Sequence, residues 1–398
     1  MEFDPYDPNV QLDPYPSYRW LREESPVHWN ADRGFWTLSR FEDVWSAVHD
    51  PLRLSSAQGI VIGQQDIDAS DLMDAMPMMI MMDPPMHDEL RRLVSRAFTP
   101  RAIARMEEAV RTTTRQLIGE LPDDGVDLLP SFAGPLPITV IAEMLGVPVA
   151  DRDQFREWSD MLVRVNPDDD ESVEQAMNGS AMLLGYLPPL IEARREQPSD
   201  DLLSAMVAAE HEGRRMTDAE IAGTAFLLLT AGNETTTNLI ANMTMVLADD
   251  ADLRRLLVED PSRIPDAVEE VLRLESPVQG LARTATEDVT VHGETIEEGQ
   301  QVLLLFGAAN RDEQEFPDAD VLQLGRQSDR ALAFGHGVHY CLGATLARLE
   351  TRVAFEELLA RIPDYEIGEG ARRVPSAMVR GFEHLPLEYD LVGARGDR

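Results

Sequence analysis

Lysine is absent from this sequence of 398 residues, so arginine carries every fixed positive side-chain charge. The 35 arginines face 72 aspartates and glutamates, which gives a formal net charge of −37 at pH 7. Nucleic-acid phosphates and anionic membrane surfaces repel a chain this acidic, so the composition excludes both as partners. Two explanations of the acidity stay open: a salt-adapted or GC-rich proteome, and an acidic surface made for one partner.

Cysteine occurs only once, at Cys341. A single cysteine cannot form an intrachain disulfide, which is typical of the reducing cytoplasm, and it excludes zinc ribbons and four-thiolate iron–sulfur centres. The first residues are acidic and rich in proline, unlike a signal peptide. The apolar runs are much shorter than the roughly 20 residues that cross a bilayer. We therefore expect a cytoplasmic protein without a membrane span.

Helical spacing dominates the hydrophobic pattern. Apolar residues recur three and four positions apart over residues 102–121, 151–165, 171–196 and 200–211. Strand-like patterns are short and lie chiefly at residues 34–39, 289–292 and 301–306. No linker composition or internal repeat divides the chain. We expect one domain over residues 1–398, mainly α with small β-sheets at one side.

One predicted helix is long enough to cross the whole molecule. Thr217 and Glu220 form a capping box, and apolar spacing continues from there to about Leu247, which predicts a helix roughly 45 Å long. Its middle, residues 231–237, has a poor helix-forming composition, and Gly232 alone costs about 1 kcal/mol relative to alanine. A poor helix-forming composition in the middle of a buried helix indicates that the segment has a function.

A glycine-rich turn, Phe-Gly-His-Gly-Val-His-Tyr-Cys-Leu-Gly over residues 334–343, contains Cys341. It delivers the cysteine to the start of a predicted helix, 342–359, whose backbone N–H groups stabilise a thiolate and lower the cysteine pKa. Gly335 and Gly343 leave room for a flat cofactor to approach the backbone. Without such a context, a lone cysteine is usually a small core residue.

This decapeptide resembles the haem-binding signature of the cytochrome P-450 family, Phe-Gly-x-Gly-x-His-x-Cys-x-Gly. The resemblance implies the cytochrome P-450 fold, a triangular, helix-rich prism around a buried haem b. It makes the Cys341 thiolate the axial ligand of the haem iron, with Phe334, Gly335 and Gly343 beside the haem. The resemblance also implies a helix-rich core at about residues 83–360 and strand-rich parts near residues 25–60, 285–306 and 365–395.

Further landmarks of the family match in the expected order between about residues 83 and 350. Residues 83–91, Asp-Pro-Pro-Met-His-Asp-Glu-Leu-Arg, resemble the helix that binds the haem propionates, and His87 and Arg91 lie four positions apart on one face. The resemblance implies that these two side chains, Arg283 and His339 form a cationic cluster around the propionates.

The sequence Glu-Val-Leu-Arg at residues 270–273 resembles the Glu-x-x-Arg helix of the family. An exposed ion pair at this spacing contributes less than about 0.5 kcal/mol, but the family buries the pair and adds a later arginine. The resemblance implies a buried triad of Glu270, Arg273 and Arg326 that supports structure and haem incorporation rather than chemistry.

The unusual segment of the long helix, Ala-Gly-Asn-Glu-Thr-Thr from residue 231, resembles the oxygen-activation motif of the family. Ala231 lies three positions before Glu234 and four before Thr235, so the three share one helical face. The resemblance implies that Ala231 lies against the haem, that the Thr235 hydroxyl binds oxygen near the iron, and that Glu234 relays protons from solvent. The cysteine thiolate would favour O–O cleavage.

The substrate pocket is less well defined by the sequence. Methionines crowd the segment before the propionate helix: Met73, Met76, Met78, Met79, Met81 and Met82. Methionine forms adaptable apolar walls, although core packing explains this cluster equally well. Through the resemblance we place five residues in the pocket, with the last as its polar contact: Met78, Met79, Leu227, Leu281 and Gln279. These features indicate a largely apolar small-molecule substrate.

The resemblance implies a haem-thiolate monooxygenase that inserts one atom of O2 into this substrate. The chain has no flavin or nicotinamide motif, so electrons would come from NAD(P)H through a separate reductase and a ferredoxin or flavodoxin. Ferredoxins are acidic. We therefore expect the arginines that the haem does not use to cluster behind the cysteine loop.

Several alternatives stay open. A peroxide-driven haem-thiolate peroxygenase or a haem isomerase would keep the same haem site, although Glu234 and Thr235 favour activation of O2. A haem-binding sensor would bind the cofactor without turnover. A zinc protein would use His336, His339 and Cys341, whose spacing could supply three ligands.

Overall fold

Helices make up most of the chain in the structure, a computed structural model that describes residues 2–63, 76–95, 98–163 and 170–389. Helices α1 to α15 of these residues are Pro8–Leu12, Tyr15–Glu24, Phe41–Val48, Met86–Ser95, Pro100–Arg105, Glu107–Gly119, Pro135–Met144, Arg152–Val163, Asp170–Glu196, Leu202–Ala208, Asp218–Asp249, Ala251–Glu259, Ile264–Leu274, Phe306–Ala309 and Ala344–Arg361. Within these ranges, every helix is too short or too polar to cross a membrane.

Short strands form small sheets, as the sequence predicts. Strands β1 to β14 are Val27–Asn30, Phe35–Leu38, Leu54–Ser55, Val126–Asp127, Glu210–His211, Arg214–Arg215, Leu281–Ala285, Val289–Val291, Glu294–Ile296, Gln301–Leu304, Tyr365–Ile367, Arg372–Arg373, Phe382–His384 and Pro386–Tyr389. The largest sheet has the order β1-β2-β10-β7-β3 and is antiparallel except where β10 runs parallel to β2. The mainly α fold with small sheets is confirmed.

Helix α11 is the predicted long helix, and both of its unusual features have a structural explanation. Its capping box is present: Thr217 Oγ1 accepts a hydrogen bond from Glu220 N at 3.2 Å, and Glu220 Oε2 accepts one from Thr217 N at 2.9 Å. The helix runs without interruption through the poor helix-forming segment. A Cβ atom at Gly232 would lie 2.9 Å from Cδ1 of Ile141. Glycine therefore lets α7 pack closely against the middle of α11.

The core packs around both halves of α11. The first half, with Ile221 and Leu229, contacts residues of α7, α9 and the methionine segment. The second half, with Leu239 and Leu247, contacts residues of α6, α13 and α15. Helix α15 begins just after Cys341, so the core holds the cysteine loop beside the long helix.

Two of the predicted helix ranges were wrong in detail. The range 102–121 is divided into α5 and α6 at Met106. The range 200–211 ends at Ala208 because the following residues form the β5–β6 hairpin. The turn of that hairpin needs a left-handed backbone, with φ of 51° at Glu212 and 81° at Gly213, which a helix cannot accommodate.

The carboxyl group of Glu350, on α15, is buried, and one of its oxygens has no hydrogen-bond partner within the residues that the structure describes. The side chain is 2% exposed, and its Oε2 has no hydrogen-bond partner among the described residues. Burial raises the pKa of Glu350 from its ordinary 4.5 to about 8. Between these values the unfolded chain releases this proton while the folded chain keeps it, so the folded state loses stability as the pH rises.

We therefore expect Glu350→Gln to stabilise the protein at pH 8, by on the order of a few kcal/mol, and to change little at pH 5. Melting temperatures of both proteins at the two pH values measure this difference. Glu356→Gln is the control, because Glu356 lies on the same helix but bonds Arg111 and Arg352. An equal effect of Glu350→Gln at both pH values would contradict the expectation.

Candidate active site

The cysteine loop is fixed by tight backbone contacts. Cys341 N donates a hydrogen bond to Phe334 O at 2.9 Å, which closes the turn. Gly335 has φ of 62° and Gly337 has φ of 67°, a region that favours glycine. A Cβ atom at Gly337 would lie 2.4 Å from Val48 O, so the loop is docked directly on the end of α3. The glycines that the motif requires thus hold the cysteine at the start of α15.

The thiol of Cys341 is accessible to solvent although protein surrounds it. Burial raises the pKa of Cys341 above its ordinary value, against the opposing effects of the Gly343 and Ala344 N–H groups and of Arg91 and Arg348. The N–H groups at the start of α15 therefore lower the cysteine pKa, as the sequence predicts, but burial outweighs them. A bound metal cation deprotonates a coordinating thiol outright. Such a cation would favour the thiolate at this position.

The four predicted propionate ligands, His87, Arg91, Arg283 and His339, lie close to one another. His87 is fully buried, and its ring centroid is 4.4 Å from that of His339. Arg91 donates a hydrogen bond to Tyr340 O. Arg283 is 4% exposed and bonds the carbonyl oxygen of Ala282. Neither arginine forms an ion pair within the described residues.

The electrostatics of this cluster favour an added anion. Burial lowers the pKa of Arg283 to about 10, and burial together with Arg283, His87 and Arg91 lowers the pKa of His339 to about 3. Nε2 of His87 is buried and has no hydrogen-bond partner in the described part of the chain. Two carboxylates would satisfy this nitrogen and the arginines at once. The cluster therefore fits the propionates of haem.

The oxygen-activation residues share the predicted face of α11. Ala231 is exposed, although most of the helix around it is buried. Thr235 Oγ1 donates a hydrogen bond to Ala231 O at 2.7 Å, so the lone pairs of the hydroxyl stay free to accept another bond. Burial raises the pKa of Glu234 to about 7. Near neutral pH this carboxyl group therefore can take up or release a proton.

The predicted triad is formed by direct contacts. Arg273 Nε lies 2.9 Å from Glu270 Oε1, and both side chains are almost fully buried. Arg326 Nε lies 3.2 Å from Glu270 Oε1. Burial raises the pKa of Glu270, but the bonds to Arg273 and to Gln323 N outweigh it and hold the pKa below its usual value. Arg273 also donates to the carbonyl oxygens of Asn310 and Ala319, so the triad joins α13 to the segment before the cysteine loop.

The predicted pocket residues occupy two kinds of environment. Met79 is buried in the core with residues of α11, whereas Met78, Leu227 and Leu281 are half-buried. Gln279 is buried: its Nε2 donates to Ser276 O, and its Oε1 accepts from Tyr18 OH at 3.0 Å. Both polar ends of Gln279 thus have protein partners, and its contact with substrate stays a prediction. Met73 lies outside the described residues.

One loop next to this pocket was not anticipated from the sequence. Residues 376–380 are held against the segment before β7, where Val379 bridges to Val278, Gln279 N donates to Met378 O at 2.7 Å, and Arg380 N donates to Pro277 O at 2.8 Å. Ala377 and Met378 are half-buried there. The only signal for this loop in the sequence is its position between Pro375 and Gly381.

The arginines behind the cysteine loop do not form the expected basic cluster. Arg348 bonds Glu269, Arg352 bonds Glu107 and Glu356, and Arg330 bonds Glu315. These pairs cancel the positive charge. Arg92, Arg101 and Arg105 are exposed on α4 and α5 and form no ion pair with any described residue.

The zinc alternative is not supported by the geometry. Nδ1 of His336 lies 3.1 Å from Nε2 of His49, whereas Nε2 of His339 lies 3.2 Å from Ser56 Oγ, so the two rings turn to different neighbours. Over the described ranges, no three metal-ligating side chains converge.

Comparison with known proteins shows the family of this chain. The family model described as Cytochrome P-450 matches residues 264–362. Cytochrome P-450 130 of Mycobacterium tuberculosis is 43% identical over 369 residues, which cover 89% of this chain and 90% of the relative. Vitamin D(3) 25-hydroxylase of Pseudonocardia autotrophica is 43% identical over 382 residues, covering 94% and 93% of the two chains.

Solved structures give the same result for the fold. A cytochrome P-450 from Chondromyces apiculatus superposes with a TM-score of 0.89 at 36% identity and covers 99% of both chains. One from Bacillus megaterium, in complex with corticosterone, has a TM-score of 0.87 at 34% identity, covering 96% of this chain and 99% of that one. This chain belongs to the cytochrome P-450 family, and it is a haem-binding monooxygenase that works with redox partners on small molecules.

Proposed function

We propose that this monooxygenase hydroxylates a largely apolar small molecule with one atom of O2, using Cys341 as the axial ligand of a haem b. The reaction takes the substrate, O2, two electrons and two protons to the hydroxylated product and water. When bound, the haem supplies the iron at which O2 is reduced and cleaved. The proposed b type is consistent with the sole cysteine, since c-type attachment needs two cysteines in a Cys-x-x-Cys-His motif.

The observation that carries the proposal is the pairing of one cysteine loop with a cluster whose two arginines, Arg91 and Arg283, form no ion pair with any described residue. Cys341 lies at the start of α15, while His87, Arg283 and His339 gather beside the same loop. Iron would supply the positive charge that stabilises the thiolate, and the propionates would supply the ion-pair partners that the two arginines lack. One haem would meet both requirements.

Proton delivery favours O2 chemistry over the peroxygenase, isomerase and sensor alternatives. Glu234, with a pKa raised to about 7, exchanges protons at neutral pH. Thr235, the next residue, keeps its Oγ1 in place through the bond to Ala231 O. Neither a peroxide-driven enzyme nor an isomerase needs this supply of two protons, and a sensor needs no turnover at all.

The substrate proposal depends on the character of the pocket walls. Met78, Leu227 and Leu281 are half-buried apolar residues from three separate segments, and the loop with Ala377 and Met378 adds a fourth. The relatives named for vitamin D(3) hydroxylation or solved with corticosterone act on or bind apolar molecules of steroid type. We infer a substrate of comparable polarity, with no charged group near the iron.

The electron donor in this proposal is a ferredoxin or flavodoxin reduced by an NAD(P)H-dependent reductase. Arg92, Arg101 and Arg105 remain unpaired among the described residues, and α5, which carries two of them, packs against α15. They offer an acidic partner a small positive patch near the cysteine loop. A reducing cytoplasm suits a chain that depends on one unoxidised cysteine, and the whole chain, residues 1–398, would act as one domain.

Turnover with surrogate partners tests the proposal. With NADPH, a ferredoxin and its reductase, we expect an apolar substrate to gain one 18O atom from 18O2. Thr235→Ala removes the hydroxyl at the oxygen site, so we expect product to fall by about 10-fold or more while reductant is still consumed. The ratio of product to NADPH measures this coupling.

Thr230→Ala is the matched control, because Thr230 lies five residues earlier on the same helix and its hydroxyl likewise bonds a backbone carbonyl, that of Phe226. Its coupling should equal that of the unaltered protein. Full coupling in Thr235→Ala would exclude the role given to this hydroxyl. Product formed only with added peroxide would instead favour the peroxygenase.

A further inference from the structure

Two histidines that take no part in the haem site meet at the surface beside the cysteine loop. His49 directly follows α3, and His336 precedes the short turn Gly337–His339. Nε2 of His49 and Nδ1 of His336 lie 3.1 Å apart, and their ring centroids are 5.0 Å apart. His49 is exposed and His336 half-exposed, so the pair lies at the protein surface.

The hydrogen bonds of His49 determine which of its nitrogens has a free lone pair. Nδ1 of His49 lies 2.7 Å from Trp45 O. A carbonyl oxygen only accepts, so Nδ1 carries the hydrogen and Nε2 of the neutral ring is left with a lone pair. Metal-binding histidines typically donate their second nitrogen to a backbone carbonyl in this way, which orients the ring.

The spacing of the two nitrogens suits a shared metal ion. Imidazole nitrogens bind zinc at ~2.0–2.1 Å, so two neighbouring ligands of one ion stand roughly 2.9–3.4 Å apart. The observed 3.1 Å lies within this range. The ion would replace the hydrogen that His336 shares with His49, and that hydrogen would move to Nε2 of His336 with no change of net charge.

Both rings are attached to backbone that is already fixed. Gly337 packs against Val48 O, which docks the loop carrying His336 on the end of α3. Trp45 lies against both rings, with centroid distances of 4.7 Å to His49 and 4.2 Å to His336. Little ordering would therefore accompany binding. Arg330 stacks on Trp45 and opposes a cation, but it is bonded to both oxygens of Glu315.

From this geometry we propose that His49 and His336 form a binding site for a divalent transition-metal ion of the class that imidazole prefers, such as Zn2+, Ni2+ or Cu2+. Water completes the coordination of the ion. The site is separate from the haem iron and joins α3 to the loop that carries Cys341. Metal binding should accordingly raise the melting temperature of the holoprotein.

Calorimetric titration of the haem-loaded protein with Zn2+ tests the proposal. We expect one ion per chain, with affinity reduced by about 10-fold or more in His49→Ala and in His336→Gln. His336 is close to the haem ligand, so an unchanged Soret band must accompany its variant. His49 lies on another element and supplies the independent result. Electron paramagnetic resonance of bound Cu2+ should show two nitrogen ligands.

His384→Ala is the matched control, since His384 is also exposed and bonds a single carboxylate, that of Asp127. It should bind Zn2+ like the unaltered protein. Absence of binding at millimolar Zn2+ overturns the proposal. So does an affinity that survives His49→Ala, or one that is lost equally in His384→Ala.

Discussion

Cys341→Ser should abolish the red-shifted Soret band that the reduced protein forms with carbon monoxide. Serine has the same shape, but its hydroxyl stays protonated and donates much less electron density than a thiolate does. Loss of a residue that only hydrogen-bonds a metal ligand lowers activity by ~10–100-fold. Loss of the ligand atom itself should lower the rate of turnover by more than this. The absorbance spectrum of the reduced carbon monoxide complex and the rate of product formation measure the two effects.

This substitution separates ligand chemistry from folding. The Cys341 side chain is small and lies outside the hydrophobic core, and its backbone bond to Phe334 O does not depend on the side chain. Thr345→Ser is a fitting control, because Thr345 is exposed four residues later and does not carry the ligand atom. It should keep the band. A Cys341→Ser protein that also keeps the band would refute thiolate ligation by this residue.

Arg273→Ala should destabilise the protein by about 3–5 kcal/mol and sharply reduce haem content. Removal of one partner from a buried ion pair leaves an uncompensated buried charge, here that of Glu270. Arg273 has no exposed surface, and it also satisfies carbonyl oxygens of Asn310 and Ala319. A loss of this size is a large part of an ordinary domain's stability of ~5–15 kcal/mol. Urea unfolding and the haem absorbance of purified protein measure it.

The same chain offers a matched pair at the surface. Arg255 and Asp252 have the same three-residue spacing, but both side chains are more than half exposed. Arg255→Ala should therefore cost no more than about 1 kcal/mol. Glu270→Gln combined with Arg273→Met should be less destabilising than Arg273→Ala, because no charge is then left without a partner. Equal losses in Arg273→Ala and Arg255→Ala would contradict the structural role of the triad.

The parts of the site that short motifs encode could be predicted from the sequence. The contact between Glu270 and Arg273 and the shared face of Ala231 and Thr235 follow from helical spacing alone. The position of Cys341 at the start of a helix follows from the glycine-rich turn before it. The roles of these residues were inferred from the family resemblance, because the spacing of residues in the sequence does not reveal their roles.

Features that depend on distant segments could not be predicted. The loop around Met378 contacts residues about 100 positions earlier, and no local pattern specifies that pairing. His49 and His336 are 287 residues apart in the sequence. The arginines behind the cysteine loop looked free because several of the glutamates that neutralise them, such as Glu107 for Arg352 and Glu269 for Arg348, are far away in the sequence.

Helix α11 carries both the predicted pocket residue Leu227 and the proposed proton relay. Leu227 lies eight residues, or about two turns, before Thr235, and no break in the helix separates them. If a bound molecule shifts Leu227, a continuous helix would pass part of that shift on to Thr235. We therefore expect the shape of the substrate to affect how efficiently reductant is used, with an ill-fitting substrate consuming more electrons per product.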